Sequence, residues 1–313
     1  MTPVLCVALG MAISAAVLHG ALGLGRPIAR TYLSFAFIMA CLAPHLYFEL
    51  ELYRVTTPEA AVAAVRYQLF CMFGVFAGVL VFIPAYTRVR LPRLVVAAYW
   101  SGLALLFVAN LWAPYGVWLS GPPTLVRSTF RGEPYTGMIV PPMGPLQVAL
   151  VLYYTSYLVI AFGCAVSMYR RGARQAGLAL AVALVLVFAF AVVDVVRDSV
   201  GGAWPYVSEF GLVSWGVVMS VQLAFAVRAQ AEAVVRAVER IEAQRVQLCA
   251  ILAALRTLDH DLDRPLRTLE QGLAALPAGG PGQGDPLGRE RRAVTRLGEL
   301  RRTWRLAPSP SEC

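Results

Sequence analysis

Of the three histidines in the chain, only His260 lies outside a long apolar run. It stands in the stretch LRTLDHDLDRPLRTLEQGLAAL, residues 255–276, with Asp261 beside it and Pro265 five positions further on. A neutral imidazole facing water is a nucleophile. An adjacent carboxylate can take its second ring proton as the attacking nitrogen closes on a phosphoryl donor. Pro265 removes one backbone hydrogen bond and crowds the preceding turn, which loosens the helix near the histidine. A second set of ionisable residues, His45, Glu49, Asp194 and Glu209, is set inside apolar runs close to their ends. A charge buried in such a run is costly, so these four mark a candidate site for a small ligand or ion. The plainer alternative is that they are interfacial groups pairing among themselves, Asp194 with Arg197 for example, with Glu51, Arg197 and Asp198 at the rim.

No metal or other cofactor is expected. Cys6, Cys41, Cys71, Cys164, Cys249 and Cys313 are scattered, with no CxxC pair and no adjacent histidine. His19 and His45 sit toward opposite ends of their runs, more than about 10 Å apart in depth at the α-helical rise, so shared ligation of a metal or haem is not expected. The chain has no lysine, all 27 of its basic residues being arginine. That excludes a lysine Schiff base, and with it a retinal pigment.

The elements that must position these groups are membrane helices. With 58% hydrophobic and only 14% charged residues, the composition is that of a membrane protein and not of a soluble domain. A helix needs about 20 apolar residues to cross the hydrocarbon core. Runs of that kind occur near residues 4–25, 31–52, 66–86, 94–112, 146–169, 175–195 and 208–227. The first lacks a basic leader and a clear cleavage site, so it is read as a span. Arg26 and Arg30, then Arg88, Arg90 and Arg93, then Arg170, Arg171 and Arg174 follow spans one, three and five. The positive-inside rule makes those loops cytoplasmic, with the N-terminus outside and the C-terminus inside. The longest opposite loop, residues 113–145, is rich in proline and carries only Arg127 and Arg131. Trp100, Trp112, Trp118, Trp204 and Tyr206 fall near span ends as an interfacial belt, while Tyr153, Tyr154 and Tyr157 of span five could line a cavity, with packing as the default reading.

Beyond residue 227 the sequence becomes charged and stays free of Gly and Pro for more than thirty residues. Ile241, Leu248, Leu255, Leu262, Leu269 and Leu276 recur every seven residues, and Ile251 and Leu258 supply the intermediate apolar position. This pattern predicts a helix that leaves the membrane and pairs with its copy as a parallel homodimer, the alternative being one amphipathic helix packing on its own membrane domain. On that phase His260 points away from the partner helix. Residues 277–288, PAGGPGQGDPLG, cannot continue a helix. An arginine-rich helix is predicted over 289–306 and a polar tail over 307–313. The expected fold is all-α: a transmembrane region over 1–227, a signalling coiled coil over 228–254, a helical hairpin over 255–306, and the tail.

The residues H-D-L-D-R-P-L, at the end of a heptad helix that follows a membrane region, resemble the phosphoacceptor box of bacterial sensor histidine kinases. The matching positions are His260, Asp261, Leu262, Pro265 and Leu266. The resemblance implies that His260 is the phosphorylated residue, that Asp261 is its acidic activator, and that residues 292–304, RAVTRLGELRRTW, form the second helix of the hairpin. Asp263 and Arg264 depart from it, standing where the family has Arg and then Thr or Asn, the latter positioning water for phosphatase activity. The seven spans and the external NLWAPYGVWLS segment are similar to the seven-helix sensory regions of some of these kinases. Only 37 residues follow Leu276, too few for the family's ATP-binding domain. ATP binding is therefore expected in trans, from an intact histidine kinase or a separate ATPase domain, with a response regulator downstream. The expected location is the bacterial inner membrane, and no nucleic-acid partner is implied. A small transporter or channel with an oligomerising coiled coil is the alternative. Paired helix breaks at the midplane would mark it, and Pro44 and Pro84 lie near span ends instead.

Overall fold

The computed structural model describes residues 2–24, 29–130, 132–200 and 205–275, with the separate helical positions 292, 293, 296 and 299. Its contacts divide it into two units, Met1–Ala226 and Val227–Cys313. The helices are α1 (Thr2–Gly23), α2 (Ala29–Leu52), α3 (Pro58–Thr87), α4 (Arg93–Trp112), α5 (Pro145–Arg170), α6 (Arg174–Ser199) and α7 (Ser208–Ala275). All seven contain a stretch long and apolar enough to cross a membrane. Of the described residues, 82% are helical. The all-α expectation holds for the class of the fold but missed a two-stranded hairpin, β1 (Thr124–Phe130) and β2 (Glu133–Ile139), in the long loop after α4.

Helix α2 is the centre of the membrane unit: 61% of its apolar window is buried against 17% for α4. It packs on α1 and α3, and α5 packs on α6. Tyr32 and Phe35 of α2 lie beside His19 of α1, with ring centroids 6.0 and 4.8 Å away, and Phe35 is 5.6 Å from Trp215 of α7. His19 reaches Ser220 of α7 at 3.2 Å, and the Tyr32 hydroxyl donates to the Leu223 carbonyl at 3.2 Å. The outer surface is the reverse of a water-soluble protein's. Leu94, Leu105 and Val159 are 85%, 71% and 67% exposed, while His45, Glu49, Arg197 and Glu209 are buried. Such an arrangement is stable when hydrocarbon covers the surface.

Local chemistry explains the element ends. Helix α3 begins eight residues before the predicted span because Thr57 caps it, its hydroxyl accepting from Ala60 N–H at 3.3 Å, with Pro58 and Glu59 in the first turn. The α5–α6 turn uses Gly172 at φ 96°, a left-handed conformation in which a side chain would be strained. There the Arg171 guanidinium donates to the Arg88 carbonyl at 3.4 Å, so two of the arginine-rich turns meet at one end of the unit. A short way into α6, a Cβ at Gly177 would lie 2.7 Å from the Tyr169 nitrogen and 2.9 Å from the Ala165 carbonyl oxygen. Gly→Ala inside a helix ordinarily stabilises by about 1 kcal/mol. Here the neighbours are backbone and cannot swing aside, so Gly177→Ala should destabilise by about 1–3 kcal/mol. A thermal melt in detergent reads the sign, and a gain would mean that α5 and α6 approach less closely.

The hairpin caps the opposite end. Phe130 pairs with Glu133 across a two-residue loop containing Gly132 at φ 83°, a connection that suits antiparallel strands. Tyr135 and Met138 of β2 are buried against the helices, and Thr136 N–H donates to the Tyr53 carbonyl just past α2 at 2.9 Å.

In the second unit α7 continues past Pro265 to Ala275. Its heptad residues face outward from the single chain: Ile241, Leu248 and Leu269 are 64%, 60% and 55% exposed. The predicted linker 277–288, the tail 307–313, and most of the predicted helix 289–306 lie outside the described residues. The four described positions of that last segment are helical and exposed.

Candidate functional site

The four ionisable residues singled out in the apolar runs, His45, Glu49, Asp194 and Glu209, line one cavity of about 420 Å³ in the membrane unit. They arrive on α2, α6 and the first turn of α7. His45 and Glu49 are four residues apart, one helical turn, and so share a face of α2.

His45 Nδ1 lies 3.1 Å from the Gln68 carbonyl oxygen, which can only accept, so this nitrogen carries the ring proton. Its Nε2 faces Glu209 Oε1 at 3.7 Å, beyond hydrogen-bond range. Glu49 Oε2 accepts from the Gln68 amide at 2.6 Å, and the Tyr53 hydroxyl also donates to this carboxylate. Tyr53 itself accepts from Tyr206 N–H at 3.1 Å. Burial, with Glu49 and Glu209 nearby, pushes the Tyr53 phenol well above its ordinary value and keeps it a proton donor. Four buried polar atoms on the cavity residues have no hydrogen-bond partner: His45 Nε2, Glu49 Oε1, Glu209 Oε2 and the Tyr154 hydroxyl.

Asp194 has a different role from the other three. Its Oδ1 accepts from Val207 N–H at 2.9 Å and its Oδ2 from Ser208 N–H at 2.7 Å, so it caps the start of α7 across the chain. The anticipated Asp194–Arg197 pair is replaced by Arg197–Asp198 at 2.7 Å. Nor are Arg197 and Asp198 rim residues. Their side chains are 1% and 4% exposed: Arg197 also donates to the Met138 carbonyl of the hairpin at 2.9 Å, and its guanidinium lies 3.8 Å from the centre of the Tyr206 ring. Glu51 remains at the rim, 39% exposed beside Arg54.

Sequence reasoning missed Gln68, Tyr53 and Ser208 as members of this site. Gln68, an amide within an apolar run, was the readable signal. Trp118, expected in an interfacial belt, lines the cavity, as does Tyr154, whose ring stacks on Phe76 with centroids 3.7 Å apart. Tyr153 and Tyr157 are packing residues as expected, their hydroxyls donating to the carbonyls of Tyr99 and Val79.

His260 and Asp261 lie in the second unit. The imidazole is 90% exposed, with Nδ1 3.6 Å from Asp261 Oδ1. The chain matches no protein-family model and no curated protein.

Proposed function

We propose that this chain is a membrane signalling receptor of the two-component type, in which occupancy of the cavity is passed through a dimeric helix to His260. One observation carries the reading. A single helix, α7, holds Glu209 in its first turn, where it lines the cavity, and His260 further along, water-facing with a carboxylate beside it. A ligand that changes how α7 begins acts on the same element that carries the nucleophile.

On this reading the protein sits in the bacterial inner membrane with the arginine-rich turns in the cytoplasm. The contact between Arg171 and the Arg88 carbonyl supports that orientation, since it gathers basic residues at one end. The outward heptad residues of α7 form the seam of a parallel homodimer. His260 takes the γ-phosphoryl group of ATP held by an intact histidine kinase or a separate ATPase domain, with ADP leaving, and passes it to a response regulator. Asp261 takes the imidazole's second proton.

The test uses the full-length chain in lipid vesicles with an intact histidine kinase of the same cell and labelled ATP. Acid-labile, alkali-stable label is expected on the wild type, and none on His260→Gln. Equal labelling of the two would overturn the reading.

A further inference from the structure

The cavity's polar end is built almost wholly of acceptors, and they outnumber the donors that reach them. Asp194, which lines the cavity, caps α7. Glu49 is met by Gln68 and Tyr53, which are neutral. That leaves Glu49 Oε1, Glu209 Oε2 and His45 Nε2 unpartnered on residues 1%, 4% and 4% exposed, all lining the same space. His45 spends its ring proton on the Gln68 carbonyl, so Nε2 offers a lone pair. One oxygen of each of two carboxyl groups and one imidazole nitrogen, buried together without a hydrogen-bond partner, are held at considerable cost unless something donates to them.

We propose that the cavity is a receptor site for an amphipathic organic cation, whose ammonium group lies among Glu49, His45 and Glu209. An ammonium offers three donors and one positive charge to three unpartnered acceptors. The rest of the cavity is apolar, walled by residues such as Leu69, Met72, Phe76, Val192 and Leu212, and it takes an alkyl or aryl body. Its volume of about 420 Å³ falls within the range of small-molecule sites. A bare metal ion would leave the apolar part empty, and among the described residues no three His, Cys, Asp or Glu are spaced to hold one. An anion would meet two carboxyl groups and is rejected.

This inference deepens the receptor reading and rests on it only for the consequence of binding, not for binding itself. The full-length protein in lipid nanodiscs is dialysed against radiolabelled n-octylammonium. Saturable binding is expected, weakened at least tenfold by Glu49→Gln and by Glu209→Gln. n-Octanol and octanoate, which share the body but not the charge, should not compete. Ala191→Trp, which fills the apolar part, should abolish binding with the carboxyl groups intact, and so tests the site even if an acidic variant fails to fold. Competition by octanol or octanoate equal to that of the amine, or unchanged affinity in Ala191→Trp, would overturn the proposal. Because no phosphoryl transfer is measured, the two readings fail separately. Amine binding with an unlabelled His260 sinks only the signalling function, and a labelled His260 without amine binding sinks only this site.

Discussion

Replacing Arg197 with methionine should destabilise the membrane unit by about 3–5 kcal/mol, the usual consequence of removing one partner from a buried ion pair. The guanidinium meets, among others, Asp198 at 2.7 Å, the Met138 carbonyl at 2.9 Å and the face of Tyr206 at 3.8 Å. Methionine fills much of the volume but leaves Asp198 as a charge that is 4% exposed, accepting among the described residues from the Tyr206 hydroxyl at 3.1 Å. Lysine should rescue poorly, since an ammonium cannot reach a carboxylate and a carbonyl with one planar fork while stacking on a ring. The double variant Arg197→Met/Asp198→Leu should recover most of the loss, because it removes the orphaned charge along with its partner. Melting temperature in detergent follows all three. A fall of less than about 1 kcal/mol in Arg197→Met would show that the hairpin and Tyr206 do not depend on this contact, against a typical buried-pair loss of 3 or more.

Placing glutamate at Leu255 and Leu262 should abolish the dimer proposed along α7. Two substitutions in a symmetric pair remove four seam leucines, each contributing about 1.5 kcal/mol or more when buried. That sums to about 6 kcal/mol, roughly four powers of ten in affinity, before like-charge repulsion across the seam is added. Cysteines introduced at Leu248 in an otherwise cysteine-free chain report the outcome. Rapid symmetric crosslinking in membranes is expected with the leucines present, and none with the glutamates. Crosslinking that is absent from both proteins would refute the coiled-coil seam, and Leu248 and Leu255, 60% and 36% exposed on the single chain, would then need another cover.

Much of this molecule is legible along the chain. The seven apolar helices follow from run length alone, because hydrocarbon leaves a backbone no partner but its own i−4 carbonyl. The hairpin escaped notice because its strands are short and its alternation is broken by Pro134 and Gly137 in the second strand. The early start of α3 was written in Thr57, Pro58 and Glu59, a capping signal that an apolar-run criterion passes over.

The candidate site divides in the same way. A charge inside an apolar run is visible in one dimension, so His45, Glu49, Asp194 and Glu209 could be named from sequence and their spacing from the span ends. Which of them keep unpaired atoms could not, because pairing depends on groups 14 to 164 positions away: Asp194 meets Ser208 N–H, His45 faces Glu209, and Arg197 meets the Met138 carbonyl. Sequence distance carries no information about such contacts until the helices are packed. By itself, then, the chain determined its seven helices long and apolar enough to cross a membrane, since run length is a property of one helix in one medium, and the heptad phase from which the proposed seam is argued is legible in the same way. Only the tertiary structure decided that three of the four buried groups point unsatisfied atoms into one cavity while the fourth caps a helix, because hydrogen bonds are short and directional and are settled by how separate helices meet.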